Sequence, residues 1–475
     1  MRVAVLLLPA LLVSMDLSIL FVAAPSISAA LTPTGTEWLW MMDVYGFVMA
    51  GLLITMGSLG DRIGRRRLLL IGSALFGAAS ALLTLATDPW TFVLARALLG
   101  IGGATLAPST LSLIRGVYTD EDRRRRAVAA WTVAFTGGSV AGPVVGGVLL
   151  DHFWWGSLFL INVPVMLLLL VAAPFLIGES KSPDRTRFDL PGAALSLPAV
   201  LGLVLAMKQA TSHGVDAVAV TAAVLGATFA AAFVRRQRRA AHPLIDVRLF
   251  RARAFTAAIA ANTVIALAAT GLGVLAFTFM QTVHGLSALD AALAALPTFA
   301  GTVVGATLAG VLAPRVRPAP LLASGLALVA AGFAVVALVR ADTPLWGFVA
   351  GYTVLTVGAG ITGTLTNSLI LGTAPPDRAG AAAGVSETST ELGAALGIAV
   401  LGTAATTVYR TTMEDTVPAG PATETVAAAL TDPSLVDAAT SAYTSGVNAA
   451  AGISAIVLLL AAALTAWALR GTRPS

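Results

Sequence analysis

Fourteen apolar stretches, each close to the roughly 20 residues a helix needs to cross hydrocarbon, recur along this 475-residue sequence. They cover 4–28, 38–59, 68–87, 90–114, 127–150, 154–177, 190–207, 217–234, 255–280, 290–313, 320–339, 345–371, 380–409 and 447–469. In hydrocarbon the backbone must satisfy its own hydrogen bonds, and a single stretch of this length does so only as a helix. Charged residues make up 11% of the chain, less than half of the roughly 25% usual in soluble proteins. The sequence therefore predicts an all-α polytopic membrane protein. The first stretch outruns a signal-peptide core of about 7–15 residues and carries Asp16 at its middle. It is expected to stay as a span.

Basic residues orient the spans. Alternating the connectors between two sides puts 25 of the 29 lysines and arginines on the side of Arg2. Lys208, Arg340 and Arg410 fall opposite, and Arg96 lies within a span. One missed helix would invert every later loop, so the split supports both the count and cytoplasmic termini. The spans divide as six (1–178), an inserted two-helix hairpin with a basic linker (179–254), and six more (255–475). The segment 410–446, acidic and rich in Pro, Thr and Ala, is expected outside the cell, partly helical or mobile. GSLGDRIGRRRLLL from Gly57 is weakly echoed by GVLAPRVRPAPLL from Gly310, a hint of duplicated halves. The inserted hairpin carries no charge in its core and reads as peripheral.

Several functions drop out. Without cysteine, and with four scattered histidines, the chain offers no thiolate or histidine metal site. No GxxxxGK[ST] phosphate loop, nucleophile motif or extramembrane domain is visible, so no nucleotide, cofactor or enzymatic chemistry is expected. The basic face should meet membrane lipid rather than nucleic acid. Nothing marks an obligate protein partner.

Further segments bear a resemblance. GSLGDRIGRRR, with Gly57, Gly60, Asp61, Arg62, Gly64, Arg65 and Arg66, is similar to the major facilitator superfamily's loop signature between helices 2 and 3. FVLARALLGIGGA, with Arg96 and Gly100, resembles its helix-4 motif, although Leu99 stands where a glutamine is usual. GSVAGPVVGG, with Gly138, Gly142, Pro143, Gly146 and Gly147, resembles the helix-5 antiporter motif. WGSLFLINVP (155–164), PLIDVRLFRAR (243–253) and MDLSILFVAAP (15–25) resemble segments of the fourteen-helix drug:proton antiporter branch. In the last, Ser18 and Phe21 replace the usual threonine and asparagine. The resemblance implies two six-helix bundles plus two inserted helices, alternating access, and a latch at Asp61 and its arginines that forms in one access state. A topology signal alone is the plainer reading of Arg65 to Arg67. Gly138, Gly142 and Gly146 make a smooth stripe for a close helix, serving either packing alone or control of leak.

Charges at membrane depth are costly, about 2.5–3.5 kcal/mol each on insertion scales. The candidates are Asp16, Asp43, Asp290, Glu387 and Glu391 against the one base, Arg96. Even with one acid neutralised by Arg96, four must be protonated, matched by a bound cation, or wet. A proton and an organic cation would then exclude one another at one carboxylate, which is the simplest basis for exchange. Each acid has a plainer role too. Asp16 suits a structural pair with Arg96, Asp43 a solvated vestibule, and Asp290 a helix cap. Glu387 lies near the span end, and Glu391 shares its face at i, i+4. Aromatic rings can hold cations, and Trp38, Trp40, Tyr45, Trp131, Phe135, Phe277, Phe279 and Tyr352 are available. Ring positions at span ends are expected in any case.

The reading is a bacterial cytoplasmic-membrane antiporter exporting hydrophobic, cationic compounds such as quaternary ammoniums and dyes in exchange for protons. Export of an endogenous metabolite, lipid or siderophore is the alternative. Asp16→Asn is expected to abolish proton-driven efflux with folding intact. Asp61→Asn is expected to slow transport of every substrate alike, and efflux rates across a substrate panel check it: a loss confined to one compound argues against the latch.

Overall fold

The computed structural model describes residues 2–117, 121–179, 189–213, 216–240, 247–373 and 379–470, and these contain helices, turns and no strand. The side chains of Asp61 and of arginines 115 and 123–126 lie outside the description, as do Lys181, Arg185, Arg187, Arg378 and Arg473.

The helices in the first half are α1 (Arg2–Leu31), α2 (Gly35–Ile63), α3 (Arg65–Leu83), α4 (Pro89–Val117), α5 (Glu121–His152), α6 (Ser157–Leu160) and α7 (Asn162–Leu176). Then come α8 (Leu190–His213) and α9 (Ala217–Arg239). The second half holds α10 (Arg253–Thr282), α11 (Ala288–Ala294), α12 (Leu296–Leu312), α13 (Pro318–Val336), α14 (Leu345–Thr373) and α15 (Ala379–Glu414). It ends with α16 (Pro421–Glu424), α17 (Val426–Ala429) and α18 (Val436–Ala468). Every apolar stretch of the sequence falls on a helix, the sixth on α6 with α7 and the tenth on α11 with α12. Pro297, which has no N–H to donate, sits at the start of α12, just past the break at Ala295. Twelve helices, counted over the described residues, are long and apolar enough to cross a membrane, and α8 adds a shorter apolar stretch, Ala194–Ala206. The chain is a polytopic membrane protein.

Polar residues in the connectors start the helices. Thr34 and Glu37 form a reciprocal capping box at α2, the amide of each meeting the side chain of the other at 3.0 and 3.3 Å. Asp88 accepts from the amides of Trp90 and Thr91, each at 3.0 Å, ahead of α4. The Thr91 hydroxyl and amide hold the Asp88 carboxyl below the usual carboxylate range. The ionised cap is thus present above that range and fades only as pH falls through the lowered value. Segment 410–446 is mostly helical: α15 continues to Glu414, and α16, α17 and a 3-10 turn fill the rest before α18. Tyr409 donates to Ala422 O at 2.8 Å and packs with Met413, Ala429 and Ala442 in a small core of its own.

The chain divides into two compact units, Met1–Ile27 with Trp40–Ile245, and Ser28–Leu39 with Asp246–Ser475. In the first, α3 packs on α4 and α7, and α8 on α9. Buried Asp189 ties the ends of that hairpin together, accepting from Gln237 Nε2 at 3.0 Å, Gly192 N at 3.1 Å and Arg236 Nε. Ser196 of α8 donates to Gly51 O of α2 at 3.0 Å, so one hairpin helix docks on the unit. Its mate α9 leaves Val218, Val220, Val224 and Leu225 exposed. In the second unit α14 packs on α10, α12 and α13, while α15 lies on α10 and α18.

Glycine seams set the closest approaches. The sequence stripe on α5 meets α1: a Cβ at Gly138 would overlap Leu11 O, and one at Gly142 would overlap Ser18 Oγ and come within 2.9 Å of Met15 O. Pro143 does not interrupt α5, which is continuous from Glu121 to His152. Gly393 and Gly397 of α15 ride in the same way on the Thr263 and Leu267 carbonyls of α10. Gly137, by contrast, has nothing within 4 Å. Gly142→Val is therefore expected to destabilise the protein by at least about 1–3 kcal/mol through overpacking. Gly137→Ala is expected to be neutral or mildly stabilising. Thermal unfolding of the two purified variants in detergent checks the contrast.

Candidate functional site

In the first unit Arg96 meets Asp16. Its guanidinium, 0% exposed, donates from Nη1 to Asp16 Oδ2 at 2.6 Å, and Asp16 is itself 2% exposed. α4 supplies the arginine and α1 the acid. From α2 comes Tyr45, whose ring centroid lies 4.6 Å from the guanidinium carbon, a cation–π arrangement in a dry site. Gly100 and Gly103 of α4 let α2 approach this closely. A Cβ at Gly100 would come within 2.7 Å of Tyr45 O, and one at Gly103 within 2.8 Å of Tyr45 Oη. Asn162 of α7 stands beside the Asp16 carboxyl while donating to Ser80 Oγ at 3.2 Å. Asp16 Oδ1 and Arg96 Nε and Nη2 have no hydrogen-bond partner among the described residues.

Asp16 is thus held in the ion pair that the sequence left open as its structural role. Asp43 is 1% exposed and is not a solvated vestibule acid. One expectation changes. Removing one partner of a buried pair leaves the other charge uncompensated, which typically costs about 3–5 kcal/mol, so Asp16→Asn would not leave folding untouched.

In the second unit Glu391 is 4% exposed, and its Oε2 has no hydrogen-bond partner among the described residues. Half-buried Glu387 lies one turn away on α15, close enough for the two charges to interact. Between them, Asn262 of α10 clamps α15, donating to Ser386 O at 3.3 Å, Ser389 Oγ at 3.0 Å and Thr390 Oγ1 at 2.7 Å. Asn262 is neutral and so does not stand out by charge; its signal is a lone side-chain amide in the span 255–280, whose other polar side chains are threonines.

Asp290 is exposed at the third position of α11. It meets Ser287, whose Oγ accepts from Asp290 N and donates to Asp290 Oδ2, both at 3.0 Å. The N-cap is thus Ser287, with Asp290 its reciprocal partner. Among the candidate aromatics, Trp131 stacks on Phe135 at 5.2 Å and donates to Thr110 Oγ1 at 3.1 Å. Phe279 lies against Phe348 at 4.7 Å.

The loop signature meets Glu179, a residue outside the motif. Glu179, just past α7, accepts from the backbone N–H of Arg66 at 3.0 Å, with Arg66 Nε and Arg67 Nε at 4.0 and 3.9 Å. Arg66 Nη1 also donates to Ile177 O at 3.0 Å and Pro174 O at 3.3 Å, and Arg65 Nη1 to Ser112 O at 3.4 Å. Gly64 has φ 110°, a left-handed value that favours glycine, and a Cβ there would stand 2.5 Å from the Glu179 carboxyl. Arg62 is exposed, and the Asp61 side chain lies outside the described residues.

The sequence profile of the Major Facilitator Superfamily matches residues 6–398. The multidrug efflux pump LfrA of Mycolicibacterium smegmatis is 42% identical, over 98% of this chain and 95% of its own length. The methyl viologen resistance protein SmvA of Salmonella typhimurium is 35% identical, over 82% of this chain and 79% of its own. A bacterial homolog of the human lysosomal transporter Spinster superposes with a TM-score of 0.71 at 17% identity, over 99% of this chain and 96% of that one. That likeness concerns the fold.

For the buried pair, Asp16→Asn is expected to lower stability by about 3–5 kcal/mol, and Asp16→Asn with Arg96→Met by clearly less. Thermal unfolding of the single and double variants measures the coupling; an unchanged melting temperature for Asp16→Asn removes the pair from the stability argument.

Proposed function

The chain belongs to the major facilitator superfamily, and from that premise we propose that it exports hydrophobic organic cations across the bacterial cytoplasmic membrane in exchange for protons. In this reading fourteen helices cross the membrane with both termini cytoplasmic. They are grouped as six (1–178), an inserted pair (179–254) and six (255–475), with 410–446 outside. Export of drugs is supported by the relatives, a multidrug efflux pump and a methyl viologen resistance protein. Methyl viologen is an organic dication, which supports the charge of the substrate.

The observation that carries the chemistry is Glu391. It is buried, pairs with no cation among the described residues, and has a second carboxylate one turn away. Holding it ionised costs the desolvation of a charge with nothing to offset it. Either a proton or an organic cation supplies the missing positive charge, and each displaces the other. Glu387, Asp43 and Asp16 serve the same exchange. In this scheme Asp16 takes its proton as it releases Arg96, so the pair is one of two arrangements. The Arg66–Glu179 contacts, with Asp61, latch the loop in one access state.

Proteoliposomes with an imposed pH gradient test this reading with an ethidium-like cation. The gradient is expected to drive uptake by the native protein. Glu391→Gln is expected to lose at least about tenfold of the gradient-driven rate, which corresponds to about 1.4 kcal/mol of coupling. Gradient-driven transport at the native rate in Glu391→Gln excludes Glu391 from coupling. A native protein indifferent to organic cations redirects the reading to an endogenous compound.

A further inference from the structure

The start of α10 and the end of α18 leave a groove of about 400 Å³ in the second unit. Arg251 and Arg253 stand at its mouth, and Trp467, 65% exposed, flanks it. Beyond them Ala260 and Val264 of α10 face Leu464 of α18. Among the described residues no acidic side chain lines the groove, and no ion pair uses either arginine. The eleven residue-to-residue steps from Arg253 to Val264 rise about 16 Å along a helix, close to half of a hydrocarbon core of about 30 Å. The groove therefore pairs a cationic mouth beside an interfacial tryptophan with an apolar channel one leaflet deep.

We propose that this groove is a binding site for an anionic glycerophospholipid of the leaflet on the arginine-rich side, its phosphate on Arg251 and Arg253 and one acyl chain along Ala260, Val264 and Leu464. The dimensions are those of a lipid, and the charge selects its headgroup. Basic pockets between helices on the cytoplasmic side are suited to anionic headgroups. Alanine at 260 keeps the channel open where a larger side chain would fill it. The two arginines repel the organic cations of the transport reading, so the groove is distinct from a substrate path. Arg251 and Arg253 belong to the PLIDVRLFRAR segment, for which transport supplies no role.

The full-length protein, purified in a non-ionic detergent, is titrated with phosphatidylglycerol and with phosphatidylcholine of identical chains, reading lipid affinity by native mass spectrometry and the melting temperature. Phosphatidylglycerol is expected to bind more tightly and to stabilise more. The Arg251→Gln, Arg253→Gln double variant is expected to bind it about 30-fold more weakly, from about 1 kcal/mol per arginine near an anionic headgroup with about 1.4 kcal/mol per factor of ten. Ala260→Trp, which keeps both charges, is expected to weaken it as well by filling the channel. Arg340→Gln, on the opposite side, is expected to leave binding unchanged. Equal affinity for the two lipids overturns the site, as does a phosphatidylglycerol preference that survives the double variant. Equal stabilisation by inorganic phosphate assigns the arginines to a free anion and overturns the lipid.

Discussion

Inside hydrocarbon there is no water to take up an unused hydrogen bond or to screen a charge. The backbone of this chain answers by running as helices, which close its hydrogen bonds within each segment. Side chains answer by pairing, as Arg96 does with Asp16 at 2.6 Å beneath the Tyr45 ring. That pair joins α1, α2 and α4 at one point. The glycines of α4 and α5 have a mechanical part in it, since Gly100 admits Tyr45 and Gly142 brings α1 against α5. Electrostatics and packing in the first unit are therefore one arrangement. A buried guanidinium needs its carboxylate, and the carboxylate reaches it only if small residues let the helices close in.

The two units solve the same problem differently. In the first, acid and base meet and the charge is internal. In the second, Glu391 has no basic partner among the described residues, and neutral donors do the holding, with Asn262 clamped on Ser386, Ser389 and Thr390. An acid without a countercharge is the group best placed to exchange one cation for another. A paired acid can join only by breaking its pair. The proposed exchange thus leans on α15 for its first proton or cation and on the Asp16–Arg96 pair for its response.

At the arginine-rich ends, polar contacts decide which helices stay together. Glu179 gathers the loop after α2 at the end of α7, and Asp189 ties α8 to α9. The partly exposed Arg66–Glu179 pair contributes little stability singly. The Arg66 N–H to Glu179 bond and the left-handed turn at Gly64 make the α2–α3 junction specific.

Hydropathy alone made the helices legible, since each apolar stretch lies on a helix and the polar connectors carry their caps. Charges at membrane depth were legible for the same reason: an acid amid twenty apolar residues stands out by its cost. The stripe of Gly138, Gly142 and Gly146 was readable as a close approach, but not the helix that uses it. Partners lie far along the chain: with one base at membrane depth the sequence offered Arg96 as a structural partner for Asp16, but only packing closes that pair and sets the Tyr45 ring against it. Asp16, Asp43 and Asp290 each had a plainer role open in the sequence, and packing makes them an ion-paired group, a buried acid and an exposed partner of the Ser287 cap. Composition and periodicity determined that this chain spans a membrane as helices and carries more buried acids than bases. Tertiary packing alone decided that Asp16 meets Arg96, that Glu391 has no basic partner among the described residues, and where Glu179 and Asn262 bind, because such choices depend on distances between segments that local sequence does not encode.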